Sequence, residues 1–269
     1  MRVIVTRPLL EAKRWVETLC DGGYMAEALP LIGVAPPADP RAVVAAWNRL
    51  DSFDAVMFVS GNAVDHFFAL KPPEAPVFGE GGALKTRAFV TGPGSFSALK
   101  RARVNSECID MPDKAAEQFD SEALWAVVSH RVQAPFRVLI VRGSGSTSLE
   151  GMDANADEGV GRDWFAKQVR AAGGHVEFVV SYQRRPPQLS ASERSMVQQA
   201  AVDGSVWLFS SSEAIGNLTA ACGDQSWANA KAVMTHSRIA HAARQAGFSV
   251  VCESRPTLAA LMASIESLA

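Results

Sequence analysis

The sequence has little surplus charge of either sign: 26 Lys and Arg stand against 28 Asp and Glu, for a net charge of -2. That balance carries no basic footprint for nucleic acid, so any anionic ligand has to be met by a few placed groups. No apolar run approaches the ~18 residues that a membrane span needs. The opening MRVIVTRPLL reads as a strand entering the fold, without the apolar core and small-residue cleavage site of a signal peptide. Cysteine is scarce, and Cys20, Cys108, Cys222 and Cys252 lie far apart with no C-x-x-C spacing. Reduced, mostly buried cysteines in a cytosolic protein are the expectation. No G-x-G-x-x-G follows a first strand and no G-x-x-x-x-G-K-[ST] occurs, so the sequence lacks a phosphate loop. No serine has the G-x-S-x-G setting of a nucleophile elbow, and no His, Asp and Glu share a metal-ligand spacing. Hydrolase, metalloenzyme, dinucleotide dehydrogenase and nucleotide-dependent transferase readings thus lose their usual equipment. What is present is 269 residues, 48% hydrophobic and 20% charged, enough for one large core or two small ones.

The most informative feature is an internal repeat. Val3-Ile4-Val5-Thr6-Arg7-Pro8 is matched by Val138-Leu139-Ile140-Val141-Arg142-Gly143, an apolar strand ending in arginine. Trp15 and Trp164 each open a helical segment that runs to a glycine pair, Gly22-Gly23 and Gly173-Gly174, suited to a C-cap. Phe58-Val59-Ser60-Gly61-Asn62-Ala63-Val64 pairs with Phe209-Ser210-Ser211-Ser212-Glu213-Ala214-Ile215. Ala88-Phe89-Val90-Thr91-Gly92-Pro93-Gly94 pairs with Ala232-Val233-Met234-Thr235-His236-Ser237-Arg238. The offsets are 135 at the arginines, 149 at the tryptophans, 151 at the glycine pairs and serines, and 144 at the threonines. Such ordered offsets point to two related halves. The jump from 135 to 149 places an insertion of 14 residues between Arg142 and Trp164. Residues 144–160, rich in Ser, Gly and Asp, read as a surface loop.

Residues 55–59, 88–90, 138–141, 206–209 and 232–234 are short continuous apolar runs, as in parallel strands covered on both faces. Helical patterns follow each of them. The fold class is therefore α/β, with two duplicated doubly wound, flavodoxin-like domains. Residues 28–37, with three prolines, and 177–187, with Tyr182 and a proline pair, look like extended crossings between domains. Domain one is then discontinuous, 1–33 plus 188–269. Domain two, 40–176, is inserted, and 34–39 and 177–187 form a two-stranded extended linker.

In a doubly wound sheet, ligands bind beyond the carboxyl ends of strands, where helix N-termini offer unpaired N–H groups. Ser60-Gly61-Asn62, Gly92-Pro93-Gly94-Ser95, Ser211-Ser212 and His236-Ser237-Arg238 all fall there, aimed together at a ligand with several negative groups. Any one alone is better read as a helix cap, and it is the four in register that favour a ligand. Arg7 and Arg142 at matching strand ends suit a carboxylate, or a surface ion pair. Arg238 opens a helix, where the macrodipole disfavours a cation, and that misfit favours an anion-facing role. Of the other histidines, His66, His130, His175 and His241 fall in helical or edge contexts, exposed or structural. Tyr182 is one of two tyrosines and lies in the expected crossing. Its phenol can donate a proton into a cleft, or its ring packs a ribbon with the hydroxyl in water.

Together with Asp120-Ser121-Glu122-Ala123-Leu124 and Val180-Ser181-Tyr182-Gln183-Arg184, these segments resemble the uroporphyrinogen-III synthases over nearly the whole chain. The resemblance implies two α/β domains joined by a two-stranded ribbon, one inserted in the other. It implies cofactor-free, metal-free cyclisation of hydroxymethylbilane, a linear tetrapyrrole with eight carboxylates. Loss of the terminal hydroxyl gives an azafulvene, ring D attacks to form a spiro-pyrrolenine, and fragmentation and recombination close the macrocycle with ring D inverted. Tyr182 matches the family tyrosine proposed to protonate the leaving hydroxyl. Ser60, Asn62, Gly92, Ser95, Ser211, Ser212, His236 and Ser237 match loops that hold the carboxylates. Two departures stand out: Gly161-Arg162-Asp163-Trp164 is postponed along the chain, and Ser237 stands where bacterial relatives commonly have proline. The implied protein is a cytoplasmic monomer with a small-molecule substrate, with room for a transient contact with the upstream bilane synthase, and no nucleic acid or membrane. The rival reading is a non-catalytic two-domain binding protein for an anionic metabolite. It explains the repeat and loops but leaves Tyr182 without a role.

Overall fold

The computed structural model describes residues 1–75, 85–113, 118–145 and 160–268, apart from the side chains of 160–163. The expected insertion at 144–160 falls, for residues 146–159, outside the described residues. The chain divides into two compact units, Met1–Gly33 with Arg185–Ala269, and Val34–Arg184.

The first unit opens with β1 (Arg2–Val5), α1 (Leu9–Asp21) and β2 (Met25–Ala28). Helix α1 stops at the Gly22-Gly23 pair, where Gly23 takes a φ of 85° that an L side chain resists. The chain then builds the second unit: β3 (Gly33–Ala35), α2 (Arg41–Asn48), β4 (Ala55–Phe58), α3 (Gly61–Ala69), β5 (Arg87–Val90), α4 (Pro93–Arg101) and β6 (Ile109–Asp110). It continues with α5 (Ser121–Val128), β7 (Arg137–Ser144), α6 (Val160–Ala171) and β8 (His175–Arg185). It returns through α7 (Ala191–Ala200), β9 (Val206–Phe209), α8 (Ser212–Ala221), β10 (Lys231–Met234), α9 (Ser237–Gln245), β11 (Val250–Glu253) and α10 (Leu258–Glu266).

The short apolar runs become central strands because both of their faces are covered. In β4, Val56 and Phe58 enter one core with Trp47, Phe67 and Leu139, while Ala55 and Met57 enter another with Ile140, Phe165 and Leu124. In the first unit β9 does the same, Trp207 and Phe209 on one side, Val206 and Leu208 on the other. The period-2 alternation of a strand thus feeds two helical layers. Among the described residues the first unit's sheet runs β11-β10-β9-β1-β2, and its pairs are parallel. Numbered within that unit, the order is 2-1-3-4-5, the flavodoxin arrangement. The other sheet runs β3-β8-β7-β4-β5-β6, with β8 through β6 parallel. The segments paired by the repeat, β1 with β7, β9 with β4 and β10 with β5, take corresponding places in the two sheets.

Residues 177–185, read from sequence as one strand of an extended linker, lie in the long strand β8, and the boundary between the units falls at its end, between Arg184 and Arg185. Strand β8 pairs along β7 from Arg137 opposite His175 to Ser144 opposite Gln183. Val179, Ser181 and Tyr182 are buried there, and strand formation ends only before Pro186-Pro187, which lack the N–H a ladder needs. Residues 33–35 form β3, the neighbour of β8, and the boundary between the units falls there, between Gly33 and Val34.

Candidate active site

The second unit gathers its polar groups where β4, β7 and β8 end. After β4 the chain turns at Ser60, whose Oγ caps α3 by accepting the Ala63 N–H at 3.1 Å. The same oxygen lies 3.1 Å from Tyr182 Oη, so two residues 122 apart in sequence share a hydrogen bond. Tyr182 is only 4% exposed. Its hydroxyl is therefore held at a helix N-terminus. Neighbouring Ser181, fully buried, donates to the Ala63 carbonyl at 3.2 Å and ties β8 to the same turn of α3. Asn62, in the first turn of α3, is partly buried.

Gly92 begins α4 with an extended backbone and, having no side chain, gives no side-chain cap. A Cβ there would sit 3.3 Å from Phe119 Cβ, a tight contact that Phe119 would have to yield to. The first-turn N–H groups of Gly94 and Ser95 thus lack the side-chain acceptor that Ser60 supplies to α3. Ser95 itself is buried on the inner face of α4 with Ala98 and Leu99. Arg142 lies over the Phe178 ring, 4.6 Å from its centroid.

In the first unit, Arg7 is enclosed. Its Nε donates to Ser210 Oγ at 3.2 Å, its Nη1 pairs with Glu11 at 2.9 Å, and its guanidinium lies 4.1 Å over the Trp15 ring. Burial pulls its pKa below the ordinary arginine value, and Glu11 partly opposes that. Next to Ser210, Ser211 caps α8 by accepting from Glu213 N at 3.2 Å, with Ser212 as the first helical residue. At α9 the cap is His236, whose Nδ1 accepts the Arg238 N–H at 3.1 Å. His236, Ser237 and Arg238 are all exposed. Each of the four expected loops therefore sits on a helix N-terminus, and the structure joins Tyr182 to one of them.

Sequence reasoning passed over two residues here. His66 stacks on the Tyr182 ring, centroids 5.8 Å apart and planes 23° apart. Its spacing held the signal, since His66 lies four residues after Asn62 on the helix that Ser60 caps, hence on one face. Gly143 stood in the arginine–glycine motif without a reason, and the Tyr182 ring supplies it. Among the described residues no group of three or more His, Cys, Asp or Glu could hold a metal ion, and no helix is long and apolar enough to cross a membrane.

A family model described as uroporphyrinogen-III synthase HemD matches residues 13–263. A uroporphyrinogen-III synthetase from Helicobacter pylori aligns with a TM-score of 0.53 at 15% identity, over 100% of both chains. A mutant uroporphyrinogen III synthase from Thermus thermophilus aligns with a TM-score of 0.52 at 12% identity, over 100% of this chain and 98% of that one. At such identities the likeness is one of fold.

Proposed function

The chain belongs to the uroporphyrinogen-III synthase family, and from that membership we propose a division of labour for its described residues: helix N-termini hold carboxylates, and Tyr182 delivers the proton that releases hydroxide as water. The activity is the family's own, closure of hydroxymethylbilane to uroporphyrinogen III, and the binding-only alternative is not favoured.

The observation that carries the proposal is the Tyr182–Ser60 hydrogen bond at the start of α3. Ser60 Oγ receives the Ala63 N–H and can donate its own proton to Tyr182 Oη. The phenolic proton is then directed to the substrate. As the C–O bond of the terminal hydroxymethyl group breaks, that proton converts the departing hydroxide to water and leaves a protonated azafulvene, the azafulvenium cation. The tyrosinate keeps the Ser60 hydrogen bond until it is reprotonated. Ring D closes through the spiro-pyrrolenine, fragments and recombines. The proton lost when the last pyrrole regains aromaticity restores the phenol, so the balance is loss of one water. Turnover of Tyr182→Phe against the parent protein tests this assignment.

Carboxylates find N–H groups at Gly61 and Asn62 and at Gly94 and Ser95 in the second unit, and at Ser212 and Ser237 in the first, where helix dipoles favour negative charge. With a net charge of -2, no overall positive field assists. Binding is then distributed. Arg238→Ala removes an exposed cation and should weaken binding of uroporphyrin III, used as an octacarboxylate probe, by about 1–2 kcal/mol without lowering thermal stability. Arg142→Ala should weaken it similarly. Arg7→Ala should in addition lower stability, because Glu11 and Ser210 lose their partner. Affinity should fall with salt. If one of these changes abolishes binding, or salt has no effect, a single anion pocket replaces the distributed set. In the same proposal the enzyme works as a cytoplasmic monomer on bilane released by the upstream synthase.

A further inference from the structure

The Tyr182 ring is confined well beyond its hydroxyl. Gly143 stands directly opposite it in the β7–β8 register, just past a bulge at Arg142/Gly143. A Cβ built on Gly143 would fall 2.8 Å from Tyr182 Cε1, 2.6 Å from Cε2, and closer still to Cζ. The phenol therefore lies across the bare backbone of β7, in space that any other residue would fill. The half-buried imidazole of His66 stacks on the ring from α3. At its tip the phenol meets Ser60, the cap of that same helix. One strand and one helix thus fix the ring in position and tilt.

We propose that Gly143 and His66 are positioning residues for Tyr182, holding its hydroxyl on Ser60 and its proton toward the leaving group without touching substrate themselves. This rests on the proton-donor reading above and adds to it the groups that set the donor's geometry. Stacking needs the ring of His66, not its charge. Burial lowers the basicity of His66, with adjacent Asp65 opposing, so the imidazole presents a largely neutral face near pH 7.

The experiment is a double-mutant cycle on the full chain with fresh hydroxymethylbilane. His66→Ala, His66→Phe and Gly143→Ala are each made in the parent and in Tyr182→Phe, and kcat, KM and thermal midpoint are measured. His66→Ala should lower kcat about fivefold with little change in KM, a typical size for coupled neighbours. His66→Phe, which keeps a stacking ring, should restore most of that loss. Gly143→Ala should cost more, up to about 10²-fold in kcat, because a displacement near 1 Å at a reacting group has that scale. In Tyr182→Phe these kcat losses should vanish, although the thermal midpoint still falls. Undiminished losses in Tyr182→Phe, or His66→Phe no better than His66→Ala, overturn the inference while leaving Tyr182 as the acid. A Tyr182→Phe rate equal to the parent overturns the proton-donor reading and this inference with it. If Gly143→Ala does not fold, the two His66 variants decide.

Discussion

Tyr182→Phe should fold as the parent protein does and turn over hydroxymethylbilane at least about tenfold more slowly, below the ~10²-fold typical of a general acid because a water can stand in for the phenol. The substitution deletes one oxygen. The ring remains between β7 and α3, packed with Val141, Val179 and Phe58 in the same core. Only the hydrogen bond to Ser60 is lost, and Ser60 keeps its Ala63 N–H and its cap. The expected stability cost is therefore about 1 kcal/mol. The loss should appear in kcat more than in KM, since the phenol acts on a bond that breaks in the transition state. A variant with the parent's rate and a lowered thermal midpoint would assign Tyr182 to packing.

Trp207→Ala should bring the first unit close to unfolding. The indole is fully buried on β9, parallel to Phe209 at 6.0 Å and edge-on to Trp227 at 5.3 Å and Phe248 at 6.3 Å. Its Nε1 donates to the Ala200 carbonyl at 3.0 Å, anchoring α7 to the strand. Truncating such a tryptophan costs about 3–5 kcal/mol, and the stranded carbonyl adds to it. Against a total stability of roughly 5–15 kcal/mol this is a large share. Because β9 and β10 carry the loops at Ser211 and His236, activity should fall with the folded fraction. Urea unfolding of the parent, Trp207→Phe and Trp207→Ala should give losses in that order. A Trp207→Ala loss under about 1 kcal/mol would show the core repacking freely around the gap.

How far the sequence reveals this protein depends on how local each signal is. Residues 55–59, 206–209 and 232–234 read correctly as strands because full burial leaves an unbroken apolar run. Strand β8 reads only as an extended crossing, because Ser181, Tyr182, Gln183 and two arginines interrupt the apolar run, and their pairing partner lies about 40 residues earlier on β7. Edge strands β2 and β11, half buried and mixed in polarity, carry a similarly weak signature. The helix caps at Ser60, Ser211 and His236 were legible because capping is a matter of two or three residues. The enclosure of Arg7 was visible in part, as Glu11 lies one helical turn on and Trp15 a turn further. The contact of Tyr182 with Ser60, Gly143 and His66 was not, for it exists only once β7, β8 and α3 are packed. His66 looked like an ordinary helical histidine until a tyrosine from another strand stacked on it.

The central claim is that this chain directs the closure of hydroxymethylbilane to one isomer, and the isomer ratio measures that directly. Freshly made hydroxymethylbilane is incubated with and without purified protein, with a chelator and no added metal or nucleotide. The products are oxidised, and uroporphyrins I and III are resolved by chromatography. The account predicts that the III isomer dominates with protein and the I isomer without it, with the chelator making no difference. Equal isomer ratios in the two incubations would contradict it.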